Sequence, residues 1–150
     1  MLLAVFGVAL IHGRVTKKLS GSKLIELFLV YLLVIYCGLM MGIGSIWDLF
    51  SSLNGTSIYP FPAGGPYQQF FGLSLLGMSL IAISTIWFRG KYLIAPTIGW
   101  SIFWFGATYI HLTTQDHHTT SSTLGIIASH GLVGLILLGL LVSSAKKNWI

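Results

Sequence analysis

The run Leu24–Trp47, LIELFLVYLLVIYCGLMMGIGSIW, decides the fold. Its one charged side chain, Glu26, sits close to its start. A helix rises ~1.5 Å per residue, so about twenty apolar residues cross a hydrocarbon core ~30 Å thick. Hydrocarbon offers no partner to a free backbone amide, so such a run must be helical. The shorter alternating segments of a membrane barrel are absent from the sequence.

Working outward, three more runs of similar character follow, at about Phe70–Phe88, Tyr92–Leu112 and Leu124–Ala145. Before the first run, Met1–Ile11 is apolar but short. As a helix it rises only ~17 Å, too little to cross alone. No cationic stretch precedes it, so it does not read as an ordinary secretory signal. The expected fold is all-α: one membrane domain over residues 1–150, a four-helix bundle with spans at 24–47, 70–88, 92–112 and 124–145. Residues 1–13 add a short apolar helix, and the sequence is compatible with its being half-buried or a fifth span.

Composition agrees. Hydrophobic residues make up 55% of the 150 and charged ones 7%, with a mean hydropathy of +0.86. A soluble domain carries roughly a quarter charged residues, because its surface faces water. The net charge of +5 does not point to nucleic acid, since the cations form no patch along one face. They gather in the breaks between apolar runs: Arg14, Lys17, Lys18 and Lys23, then Arg89 and Lys91, then Lys146 and Lys147. In a four-helix arrangement all eight fall on one side. The opposite connections, Asp48–Gln69 and Thr113–Thr123, hold no Lys or Arg. The positive-inside rule therefore predicts a multi-pass cell-membrane protein with its basic loops and C-terminus in the cytoplasm. Arg89 and Lys91 are expected to reach the lipid headgroups. The single cysteine, Cys37, excludes an internal disulfide and reads as a small buried apolar residue.

Local chemistry marks the helix ends. Ser22 suits an N-cap, Pro66 after Gly64-Gly65 suits a first helical turn, and Pro96 suits another. Glu26 lies three residues after Lys23 and is expected to form a helix-end ion pair. Aromatic residues crowd the run ends, among them Trp47, Phe50, Tyr67, Trp87, Phe88 and Tyr92, as interfacial anchors do. Asn54-Gly55-Thr56 fits a glycosylation acceptor, a triplet common by chance.

Small residues four apart, at Gly38 and Gly42, Ala95 and Gly99, and Gly125 and Ser129, offer flat stripes for close helix packing. They serve packing within the chain or contact with another subunit. Histidines supply the other candidates. His111 ends one run, His117 and His118 follow beside Asp116, and His130 lies inside the last run. A short connection between these two runs predicts antiparallel neighbours, with His111 and His130 in the same half of the bundle. Imidazole is a common metal ligand and carboxylates join it. His111, Asp116, His117, His118 and His130 are thus the candidate set for copper, zinc or haem iron. Their spacing matches no established metal motif, and interhelical hydrogen bonds are the leading expectation for His111 and His130.

There is no nucleophile elbow, no phosphate loop and no paired-carboxylate site within a helix. Repeated halves of a transporter are not evident. The leading expectation is a non-catalytic accessory or structural subunit of a larger membrane complex, with membrane lipids and other membrane subunits, or copies of itself, as partners. A redox, metal- or haem-binding protein using the histidines is the first alternative, and a small carrier or channel the second.

Several stretches in order carry a resemblance: Ile11-His12, the run from Glu26 to Ile35, Gly65-Pro66-Tyr67-Gln68, Ile86-Trp87-Phe88-Arg89-Gly90, and Gly106-Ala107-Thr108-Tyr109-Ile110-His111. Together they resemble an uncharacterised family of small multi-pass membrane proteins, the domain of unknown function 6790, broadly DoxX-like. The likeness runs from the start to about His111. It implies a four-helix membrane bundle of archaea or bacteria and no established activity. It also raises His111, Gln68, Glu26 and Arg89 as candidates.

Overall fold

The computed structural model describes residues 2–15, 21–53, 65–113 and 120–145, and all its regular elements are helical. They are α1 (Leu2–Val15), α2 (Gly21–Tyr31), a π-helical segment (Leu32–Met40), α3 (Met41–Leu53), α4 (Pro66–Ser84), a 3-10 turn (Gly90–Leu93), α5 (Ile94–Thr113) and α6 (Thr120–Ala145). Three stretches are long and apolar enough to cross a membrane: Lys23–Ser51, Pro66–Ser84 and Gly90–Thr113. The 26 residues of α6 rise ~39 Å, which also exceeds the hydrocarbon thickness. With 14 residues, α1 rises only ~21 Å.

α2, the π segment and α3 follow one another without a break and form the spine. Its first part packs against α1 and α6, and its second part against α4. α5 pairs chiefly with α6. The shared core contains Leu29, Leu32, Leu33 and Cys37 of the spine, Leu75 and Ala82 of α4, Trp100 and Trp104 of α5, and Val133 and Leu137 of α6. The short α1 lies against the spine through Phe6–Phe28, at 5.0 Å between ring centres, and through His12 Nδ1 and the Tyr31 hydroxyl, 2.7 Å apart. These contacts advance together along both helices, the reverse of an antiparallel hairpin.

The spine outruns its apolar stretch. The sequence places its end at Trp47 and assigns Asp48 to a loop, yet helix continues to Leu53. Asp48 and Ser51 interrupt the hydrophobic pattern but are buried, so polarity there does not mark exposure. Likewise α6 starts at Thr120, before Leu124. At the other end α4 stops at Ser84 rather than Phe88, because the Thr85 hydroxyl and amide both turn back to the Ala82 carbonyl. Gly90, at φ 65°, then takes a left-handed backbone that side chains resist and redirects the chain. The Ser84 Oγ and Tyr92 hydroxyl, 2.6 Å apart, tie the turn.

Close approach explains the Gly38 and Gly42 stripe. A Cβ at Gly38 would lie 2.6 Å from Ile83 Cγ1 and 3.3 Å from the Ile83 nitrogen; at Gly42 it would meet Ser79 Cβ at 3.4 Å. This stripe therefore serves packing of the spine on α4. Gly99 has only Met78 Cε at 3.9 Å, Ala95 is exposed, Ser129 is half-buried, and Gly125 faces open space. α5 and α6 meet instead at Gly134, where a Cβ would touch the Phe105 ring at 3.0 Å.

Gly38→Ala should cost about 1–3 kcal/mol, since backbone as well as a side chain must move. Gly139→Ala, in open space, should change stability by less than about 0.5 kcal/mol. Thermal unfolding of the detergent-solubilised chain checks both; equal losses would contradict the packing described.

Candidate functional site

The polar chemistry gathers where α3 ends, α4 begins, α5 ends and α6 begins. α3 brings Asp48 there, fully buried. From the first turn of α4, Gln68, also fully buried, donates through Nε2 to Asp48 Oδ1 at 2.8 Å and, more weakly, to the Asp48 carbonyl at 3.4 Å. The reach depends on Gly72, one turn on from Gln68. A Cβ there would lie 3.0 Å from Leu49 Cγ and 3.5 Å from the Ser45 carbonyl, so only a small residue lets the helices close. Asp48 Oδ2 is buried and has no hydrogen-bond partner among the described residues.

The second constellation joins the spine, α5 and α6 through rings. Tyr36 lies 5.4 Å from Trp104 between ring centres, Trp104 4.9 Å from His130, and His130 5.6 Å from His111, the last two stacked at 29°. Trp100 stacks on Trp104 at 6.1 Å. Both tryptophans sit one turn apart on the buried face of α5. The Nε1 of Trp100 and Nδ1 of His130 are buried without a partner among the described residues, and Trp104 Nε1 has only the weak thiol acceptor of Cys37. Unpaired polar atoms in a dry interior are costly, which makes this end of the bundle the place to look for function.

The structure thus brings His111 and His130 together; Asp116, His117 and His118 lie outside the described residues, as does Asn54-Gly55-Thr56. Among the described residues no three of His, Cys, Asp and Glu converge as a metal site would require. Arg89 and Lys91 are exposed on the turn between α4 and α5, at the opposite end. Lys23 is exposed and Glu26 half-buried, and they form no ion pair among the described residues; an exposed pair gains little. Cys37 is fully buried against the core.

Sequence reasoning raised Gln68 as a candidate but did not pair it with Asp48, and it passed over the ring series through Tyr36 and Trp104. For Asp48 a signal existed. Ser45, Asp48 and Ser51 recur every three residues, a helical face rather than a loop.

A helical bundle with long apolar spans, exposed apolar flanks and polar groups sequestered at one end is a small multi-pass membrane protein. The chain belongs to a family of unknown function, DUF6790, whose sequence model matches residues 1–148. The match extends past His111, where the recognisable motifs stop, and takes in the last helix. No curated protein and no solved structure matches, and nothing in these comparisons carries the broader DoxX-like likeness.

Removing Gln68 leaves both Asp48 oxygens without the partner described here. Gln68→Leu should destabilise the chain by about 1–3 kcal/mol. Combined with Asp48→Ala, which removes the acceptor, in a double-mutant cycle, the coupling should be about 0.5–2 kcal/mol. Additive losses in denaturant unfolding would mean that the two side chains act independently.

Proposed function

We propose that this membrane protein is a non-catalytic accessory or structural subunit of a larger membrane assembly. The observation that carries it is the glycines on the outward faces of three successive helices. Gly77 of α4, Gly106 of α5 and Gly139 of α6 are exposed, and a Cβ on any of them would meet nothing within 4 Å. Lipid chains do not require a helix to be thin, whereas another helix approaching closely does. These glycines lie among large apolar side chains: Leu73 and Leu80, Ile102 and Tyr109, Leu135 and Val142, all exposed. The subunit sits with the Arg89–Lys91 turn and its C-terminus in the cytoplasm, as the cation distribution supports.

Native mass measurement after mild-detergent extraction tests the assembly. A complex larger than the 16.4 kDa chain is expected, whether with other subunits or with further copies. Gly106→Leu or Gly139→Leu should release the partner while leaving the unfolding temperature of the isolated chain within a few degrees of wild type. A lone monomer at every detergent concentration removes the support for this role.

The contact between His111 and His130 favours a second role, in which the histidines hold copper, zinc or haem iron with ligands from Asp116, His117 or His118. Metal analysis and an absorption spectrum of the pure protein decide it. One metal per chain, lost in His111→Ala and in His130→Ala, is expected. Metal-free wild-type protein after growth with these metals ends it.

A further inference from the structure

We propose that Asp48 binds a monovalent alkali cation of the sodium type through its open oxygen, Oδ2. The proposal does not depend on the subunit role above. Asp48 is fully buried; Gln68 occupies Oδ1 at 2.8 Å, and Oδ2 has no partner among the described residues. A carboxylate in such surroundings needs an opposite charge. The chain's own described cations do not provide one. Lys23 stands at the start of α2, Arg89 and Lys91 sit in the α4–α5 turn, Arg14 ends α1 two residues past the His12–Tyr31 contact, and all four are exposed. Chain direction puts Lys23, Arg89 and Lys91 at the end of the bundle away from Asp48, and Arg14 is on the outer surface of α1. The nearest ionisable groups by topology, His111 and His130, stack on each other between α5 and α6, whereas Asp48 is held against α4.

The neighbouring chemistry is oxygen. Ser45 and Ser51, both buried, stand three residues either side of Asp48 on its helical face. Ser45 Oγ donates to the Met41 carbonyl at 2.6 Å and Ser51 Oγ to the Trp47 carbonyl at 2.7 Å. Each hydroxyl spends its only proton on the backbone one turn back, and the Ser45 oxygen therefore faces its surroundings as an acceptor. Gln68 brings an amide oxygen from α4. Such a donor set suits a hard cation, whereas transition metals favour imidazole and thiolate. The single carboxylate sets the charge at one. A divalent ion would exchange one unbalanced charge for another.

The test measures thermal unfolding of the purified full chain in nanodiscs, followed by tryptophan fluorescence. Sodium chloride is compared with N-methylglucamine chloride at equal ionic strength and fixed pH. Sodium should raise the unfolding temperature saturably by several degrees, as any ligand of the folded state does. Asp48→Asn should abolish the shift while matching or exceeding wild type in glucamine. Should Asp48→Asn fail to fold, Gln68→Glu, which adds a second carboxylate, should lower the half-saturating sodium about tenfold. The proposal is overturned if wild type gains nothing specific from sodium, if Asp48→Asn keeps the shift, or if half-saturation in Gln68→Glu is unchanged. It is overturned equally if unfolding responds to pH and not to sodium, which assigns the compensating charge to a proton.

Discussion

A peptide group in hydrocarbon has no water to fall back on, and every helix here answers to that constraint. It governs the apolar runs and also their irregularities. The spine winds as a π-helix over Leu32–Met40, which loosens the regular ladder of backbone bonds. Such a change is tolerated only where something else is near to receive the displaced groups. Ser79 of α4 is fully buried beside it, its hydroxyl shared between the Leu75 carbonyl at 2.8 Å and the Cys37 carbonyl at 3.2 Å. Gly38 lies within the same segment, so α4 can come close enough for that bond to exist. Backbone geometry, a small residue and a hydroxyl therefore act together at one level of the bundle.

The same constraint sorts the polar side chains. Thr85, Thr97, Ser101, Thr108 and Ser144 each return a hydroxyl to a carbonyl three or four residues back, at 2.6–2.8 Å, and so cost little inside the membrane. Asp48 and His130 cannot neutralise themselves in this way. A carboxylate has no proton to return, and Nδ1 of His130 makes no backbone bond among the described residues. Asp48 borrows Gln68 from the next helix, and His130 is wedged between Trp104 and His111. Both are left with one unsatisfied atom. The bundle thus concentrates its unmet polarity at one end, while Arg89 and Lys91 stay exposed at the other.

How much of this was legible in the sequence depended on whether the signal was local. Long apolar runs need no partner to be recognised, so the three stretches long and apolar enough to cross a membrane were legible from Leu24 onward. The meeting of His111 with His130 followed from the brevity of the connection between two runs. The Asp48–Gln68 pair was not legible, because hydropathy scores each residue against water or lipid and has no place for a polar group satisfied by another helix. That omission also shortened the spine to Trp47. The opposite error occurred at Trp87 and Phe88, whose apolar character extended a helix that hydrogen bonding at Thr85 had already ended. Of the small-residue stripes, only Gly38 and Gly42 pack tightly; the sequence could not separate them from Gly125, since a glycine's neighbour is a property of the fold.

The two kinds of unmet demand differ in what they ask for. Exposed Gly106 and Gly139 ask for surface, which any complementary helix supplies and which lipid fills imperfectly. A buried Oδ2 asks for charge or a donor at one point, which lipid cannot supply. A helix docked against the outward faces of α5 and α6 would leave Asp48 unchanged, because that carboxylate is enclosed between α3 and α4. Subunit packing alone therefore does not account for the acidic residue in the spine. Were Asp48 merely structural, the hydrogen bond to Gln68 could be had from a neutral amide at lower cost, without a buried charge to balance. A carboxylate kept in that position, with one oxygen fastened and the other open, is better suited to taking up a cation than to joining two helices.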